Sequence, residues 1–153
     1  MLKKEITYED FDGDKVTETF YFNISKSELI QMEVEHKEGF QARMARIIKA
    51  GDNKTLIQEF KEIILMAYGV KSDDGRSFVK SDETRDAFSH TAAFEHLFME
   101  LALDANAGAD FIIGVVPKDL AETVAKMAKE ESGKQKSTAE LPAERADAPT
   151  PSQ

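Results

Sequence analysis

Apolar and polar residues alternate along the first part of the chain. Ile6 and Tyr8, with Asp10, fall on one side of an extended segment, and Thr7, Glu9 and Phe11 on the other. After Asp12-Gly13-Asp14 the run Val16-Thr17-Glu18-Thr19-Phe20-Tyr21-Phe22 is rich in β-formers. Two such segments around an Asp-Gly pair predict an N-terminal β-hairpin within residues 1–24. The period then lengthens. Ser25 with Glu28 three residues on makes a capping box: the hydroxyl accepts from orphan amides of the first turn, and the carboxylate returns to the cap amide. A helix starts there with Leu29, Met32 and His36 along one side, and it weakens at Gly39. Phe40, Met44, Ile47 and Ile48 form a second stripe that stops at Gly51, a residue suited to a helix C-terminus.

Asp52 is placed to cap the next helix, in which Leu56, Phe60, Ile63, Ile64 and Ala67 share a side. Ile57 and Leu65 widen that stripe up to Tyr68-Gly69, and this is the expected central helix. Lys71-Ser72-Asp73-Asp74-Gly75-Arg76 is turn chemistry and Ser77-Phe78-Val79 a short extended piece, so the segment reads as a loop able to close into a local hairpin. Ser81 or Asp82 opens a short helix through Phe88. Thr91 caps a longer one, where Phe94, Leu97, Phe98 and Leu101 recur at helical spacing. An Ala-rich stretch from Asp104 to Asp110 leads to Phe111-Ile112-Ile113-Gly114-Val115-Val116. Pro117 suits a first helical position, and Leu120, Val124 and Met127 mark a last helix. The expected fold class is mainly α: a single compact domain of about five to six helices over residues 1–131, led by the β-hairpin.

Composition changes at the end of the chain. All four prolines lie at or after Pro117, and Leu141 is the only large aliphatic residue from Ser132 to Gln153. Residues 132–153 are therefore expected to form a disordered polar Pro/Ala tail. Within it Lys134, Lys136 and Arg145 balance Glu140, Glu144 and Asp147, so the net charge of −9 belongs to residues 1–131. Such a body disfavours nucleic acid and anionic membranes as partners, because both are held by clustered Lys and Arg. No apolar run approaches the roughly 18 to 20 residues that a membrane-spanning helix needs. The absence of Cys excludes a disulfide framework and thiolate metal sites and fits a cytoplasmic setting.

Searches for site chemistry find little. Asp10-x-Asp12-x-Asp14 has the start of a calcium loop, but the sixth place is Lys15 where Gly is needed and the twelfth is Tyr21 where a bidentate Glu is needed. Gly51-Asp52-Asn53-Lys54-Thr55 ends like a phosphate loop, yet Ile48 stands where the earlier Gly belongs. His90, His96 and Glu95 or Glu100 lack the converging spacing of a zinc site, and Ser89-His90 lacks a nucleophile elbow. No catalytic residue, metal or cofactor is expected. What stands out is the apolar payload of Phe88, Phe94, Phe98 and Met99, added to Leu97, Leu101 and Leu103. A helix buried between neighbours has this pattern. So does a surface that accepts apolar helices from a partner, for which the large area of Phe and the adaptability of Met are suited.

Certain strings carry a resemblance. Gly75-Arg76-Ser77-Phe78-Val79-Lys80-Ser81, Phe88-Ser89-His90-Thr91-Ala92-Ala93-Phe94 and Leu97-Phe98-Met99-Glu100-Leu101-Ala102 resemble the tail assembly chaperones of long-tailed, siphovirus-type phages. Phe111 to Leu120 is similar to that family's closing segment, and Phe20 to Leu29 to its strand leading into the first helix, so the likeness covers roughly residues 5–125. His90 and Phe94 stand where the family pattern has Gln and Tyr, which would alter a polar contact there. The resemblance implies a non-enzymatic helper that binds the long, helical, aggregation-prone tape-measure protein and acts in the host cytoplasm. It also implies absence from the finished virion. A longer frameshifted form would bring in the major tail protein, and the short polar segment after Ser132 suits the shorter product. Phe88, Phe94, Phe98 and Met99 are the expected partner-binding residues; self-association stays open. A structural tail or neck component and an acidic inhibitor of a host DNA-binding protein are the alternatives.

Overall fold

The computed structural model describes residues 1–35, 37–49, 53–126 and 129–130, with the side chains of residues 48, 49 and 53–56 also outside the description. His36, Gly51, Asp52, Met127 and the expected tail thus lie outside the described residues. Strands β1 (Leu2–Glu9) and β2 (Lys15–Phe22) pair antiparallel, Leu2 opposite Phe22 and Tyr8 opposite Val16. The loop Phe11-Asp12-Gly13 joins them: the Asp10 amide donates to the Asp14 carbonyl at 2.8 Å, and Gly13 takes a φ of 88° that a side chain would resist. The Asp10 carboxylate accepts from the amides of Asp12 and Asp14 at 3.0 and 2.9 Å. The acidic triplet is thereby explained as turn chemistry.

Helices α1 (Lys26–Glu35), α2 (Phe40–Lys49) and α3 (Asn53–Ala67) follow. The chain then leaves α3 directly into β3 (Tyr68–Lys71), which pairs with β2, and β4 (Phe78–Val79) pairs with β3. The segment read as a loop able to close into a local hairpin does close, but its first strand begins already at Tyr68, and it extends the N-terminal sheet into four antiparallel strands in the order β1-β2-β3-β4. Docking explains the switch from helix to strand: the Asn23 amide donates to the Ala67 carbonyl at 2.8 Å and continues the ladder that sets Phe22 against Tyr68.

The second half is helical: α4 (Asp82–Ser89), α5 (Ala92–Leu103), α6 (Ala105–Val115) and α7 (118–126). Ser81 and Thr91 cap α4 and α5 through their hydroxyls. The count rises to seven helices among the described residues because Asp104 ends α5 and restarts the chain, its carboxylate accepting from Asn106 and Ala107. Pro117 sits just ahead of α7, its carbonyl accepting from Leu120 and Ala121. The architecture is mainly α with an N-terminal β-hairpin.

Helices α5 and α6 lie against β1, and α3 packs on α5. The core draws Ile6 and Phe22 from the hairpin, Phe40, Met44 and Ile47 from α2, and Phe60, Ile63, Ile64 and Ala67 from α3. At its centre Phe88 stacks on Tyr68 at 3.9 Å between centroids and meets Phe20, Phe22 and Phe94 at 5.4, 6.0 and 5.5 Å. Phe22 in turn meets Phe111 edge-on at 5.2 Å. One ring thus joins the sheet to α4 and α5.

Two outcomes follow. Phe88→Ala removes a fully packed ring and should lose about 3 to 5 kcal/mol, measured by denaturant unfolding. Gly108→Ala on α6 should also destabilise, although Ala gains up to about 1 kcal/mol in helix propensity. A Cβ there would stand 2.6 Å from Phe60 Cζ and 3.2 Å from the Leu101 carbonyl oxygen, and overpacking of a core costs about 1 to 3 kcal/mol.

Candidate functional site

The four side chains expected to bind a partner are divided by the fold. Phe88 and Phe94 are buried at 2% and 6% exposure, their faces occupied by Tyr68, Phe20 and one another. Phe98 stacks on Phe94 at 6.0 Å and is half-buried. Met99 is 46% exposed and is followed one turn later by Leu103 at 79%. Because residues four apart lie on one helical face, Met99 and Leu103 form a short bare ridge on α5, flanked by exposed Glu95, His96 and Glu100.

A second apolar surface, not foreseen in the periodicity, lies on α1. Leu29 and Met32 turn inward and are half-buried, while Ile30 and Val34 point outward at 65% and 82% exposure. α1 has no fully buried residue, so its apolar side chains are shared between the core and the solvent. Beside Ile30 runs an open groove of about 360 Å³ floored by Leu29, Phe40, Pro117 and Leu120. Its rim is charged, with Lys26, Glu33 and Asp119, and Lys26 reaches Asp119 at 3.4 Å across solvent. The signal in the sequence was Ile30 and Val34, two apolar residues four apart that lie off the side marked by Leu29 and Met32.

The position of α1 is held at both ends. At its start Ser25 and Glu28 exchange the two hydrogen bonds of the capping box, at 2.7 and 3.2 Å. The second carboxylate oxygen of Glu28 accepts from Lys80 Nζ at 2.7 Å, tying the helix to the residue after β4. In the last turn of α1, Glu33 accepts from the Phe40 amide at 3.0 Å and so caps α2. Burial pushes the Glu28 carboxyl up, but the hydrogen bonds from Lys80 and Ser25 outweigh it and hold it below the usual glutamate range. Burial pulls Lys80 down, only partly offset by Glu28. The pair therefore fixes geometry while adding little net stability, as expected for a half-buried ion pair.

A third feature is a clamp between α2 and α3. Arg43 bridges Glu59 and Glu62 at 2.6 and 2.5 Å, and Arg46 bridges Glu38 and Glu59, each at 3.1 Å. The cavity around them also takes in Lys37, so three positive and three negative groups balance and leave no charge for a ligand. His90 Nδ1 lies 2.7 Å from the Asp86 carbonyl at the end of α4, away from His96 on the exposed side of α5. Among the described residues no three His, Asp or Glu side chains converge.

A small helical domain with an apolar groove and bare apolar ridges has the surface of a protein that holds other polypeptides. The chain belongs to the phage tail assembly chaperone family, whose match runs over residues 1–153. No curated protein and no solved structure matches it. No described helix is long and apolar enough to cross a membrane.

The capping lock on α1 is testable by pH. A carboxyl held below its unfolded value, about 4.3, supports the fold above that pH, and the support is lost as pH falls through the folded value. Glu28→Gln should flatten the fall in melting temperature below about pH 4.5 relative to the parent chain.

Proposed function

We propose that this chaperone binds the tape-measure protein of its phage, covering apolar faces of that long helical client until the tail tube grows around it. The observation that carries the reading is the groove beside α1. Its apolar floor and the outward Ile30 and Val34 offer a seat for the i, i+3, i+4 side chains of an amphipathic helix, and the charged rim excludes purely non-specific contact. Phe98, Met99 and Leu103 supply a second apolar contact. Phe88 and Phe94, spent on the core, act by holding α4 and α5 in place. Each contact is weak, and several copies along one client provide occupancy by multivalency, so that growth of the tube can displace them one at a time. The work is binding, done in the host cytoplasm and finished before the virion is complete. The longer frameshifted form recruits the major tail protein to the same complex.

Co-expression with the tape-measure protein of the same phage tests this. The parent chain should keep the client soluble and co-purify with it. Ile30→Asp combined with Val34→Asp should cut the co-purified client about tenfold or more while melting stays near that of the parent, because both side chains are exposed. An insoluble client with no complex would defeat the reading. Mass spectrometry of purified virions addresses the structural alternative, under which the chain would persist in the particle.

A further inference from the structure

We propose that two copies of this chain associate through the open edge of β1, in one antiparallel register, to form a continuous sheet across a two-fold axis. Among the described residues β1 has β2 as its sole strand partner, although it is eight residues long and contains no Pro. The bond from the Asp10 amide to the Asp14 carbonyl fixes which residues face inward along the ladder. Antiparallel pairs alternate, so Leu2, Lys4, Ile6 and Tyr8 direct their main-chain groups to β2. Lys3, Glu5, Thr7 and Glu9 direct theirs to the open edge, and their side chains are all exposed. Helices α5 and α6 pack against β1, and Lys4, on its inner side, is tied to Glu100 at 3.2 Å. The outward charges of Lys3, Glu5 and Glu9 guard this edge against indiscriminate pairing and admit a strand only where opposite charges meet.

The charge pattern selects the occupant. The first part of the strand is basic, with Lys3 and Lys4, and the turn at its far end is acidic on balance, with Glu9, Asp10, Asp12 and Asp14 against Lys15, which faces Glu9 across the ladder. A second copy laid antiparallel brings each basic end to the acidic turn of the other. The register that places Ile6 opposite Ile6 sets Lys3 against Glu9 twice by symmetry, and Glu5 against Thr7. It also brings Met1, 58% exposed, alongside Phe11, 80% exposed. Sliding by one pleat in one direction puts Glu5 opposite Glu5; sliding the other way puts Glu5 opposite Glu9. Both alternatives face like charges, which is unfavourable across a ladder. The favoured register forms about eight main-chain hydrogen bonds. Pairing through this edge needs no client.

Sedimentation of the full chain without client, over a concentration range reaching about 1 mM, is the test, because a single strand edge is a small interface and small interfaces associate weakly. The 17.1 kDa chain should shift toward twice that mass. Lys3→Glu or Glu9→Lys alone should weaken association roughly tenfold, since each turns two attractive pairs repulsive. Lys3→Glu with Glu9→Lys should restore it. Thr7→Pro removes an amide that faces the open edge and spares the ladder to β2, so it should abolish pairing with circular dichroism unchanged; if that variant unfolds, the charge swap decides alone. A chain monomeric throughout the range overturns the proposal. So does a dimer indifferent to the charge reversals, or one that survives Thr7→Pro, because each would place the interface elsewhere.

Discussion

The stack of Phe88 on Tyr68 is the contact on which the rest of the domain depends. Tyr68 is the first residue after α3 and stands beside Phe22 in the sheet, and Phe88, near the end of α4, packs on Tyr68, Phe20 and Phe22 together. Their meeting requires three things at once: α3 must stop at Ala67, the 68–79 segment must join the sheet, and α4 must cross above it. Aromatic pairs contribute about 0.5 to 1.5 kcal/mol beyond the area they bury, so a cluster of this size is a large part of the stability of an ordinary domain.

That commitment of aromatic area decides what is left for a partner. With Phe88 and Phe94 inside, Met99 and Leu103 are the large apolar side chains that α5 leaves exposed, while α1, locked by Glu28 to Lys80 and by Glu33 to Phe40, keeps Ile30 and Val34 in solvent. A helix held by polar contacts at its ends does not need to bury both of its apolar sides. Its unburied side can therefore be a working surface that costs the fold little.

Local features are legible in the amino-acid sequence. The capping box at Ser25 and Glu28, the caps at Ser81 and Thr91, and the Asp-Gly turn each depend on a few neighbouring residues, and all are present. The stripe Phe60, Ile63, Ile64 and Ala67 also faces the core as its spacing indicates. Less legible are the restart at Asp104, where an Ala-rich stretch hides a cap, and the joining of β3 to β2, which pairs residues some fifty positions apart. The groove is hidden because Leu29, Phe40, Pro117 and Leu120 belong to three separate helical segments and their near surroundings.

The sequence alone determined the N-terminal hairpin, most of the helices with their caps, the acidic balance and the family likeness, because these rest on composition and on interactions within a few residues. Only the tertiary structure decided which apolar side chains are core and which are surface. Periodicity records that Phe88, Phe94, Phe98 and Met99 are apolar on a helix, but whether a ring is covered depends on what the rest of the chain brings over it. Here the sheet brings Tyr68 and Phe20 over Phe88, and nothing among the described residues covers Val34.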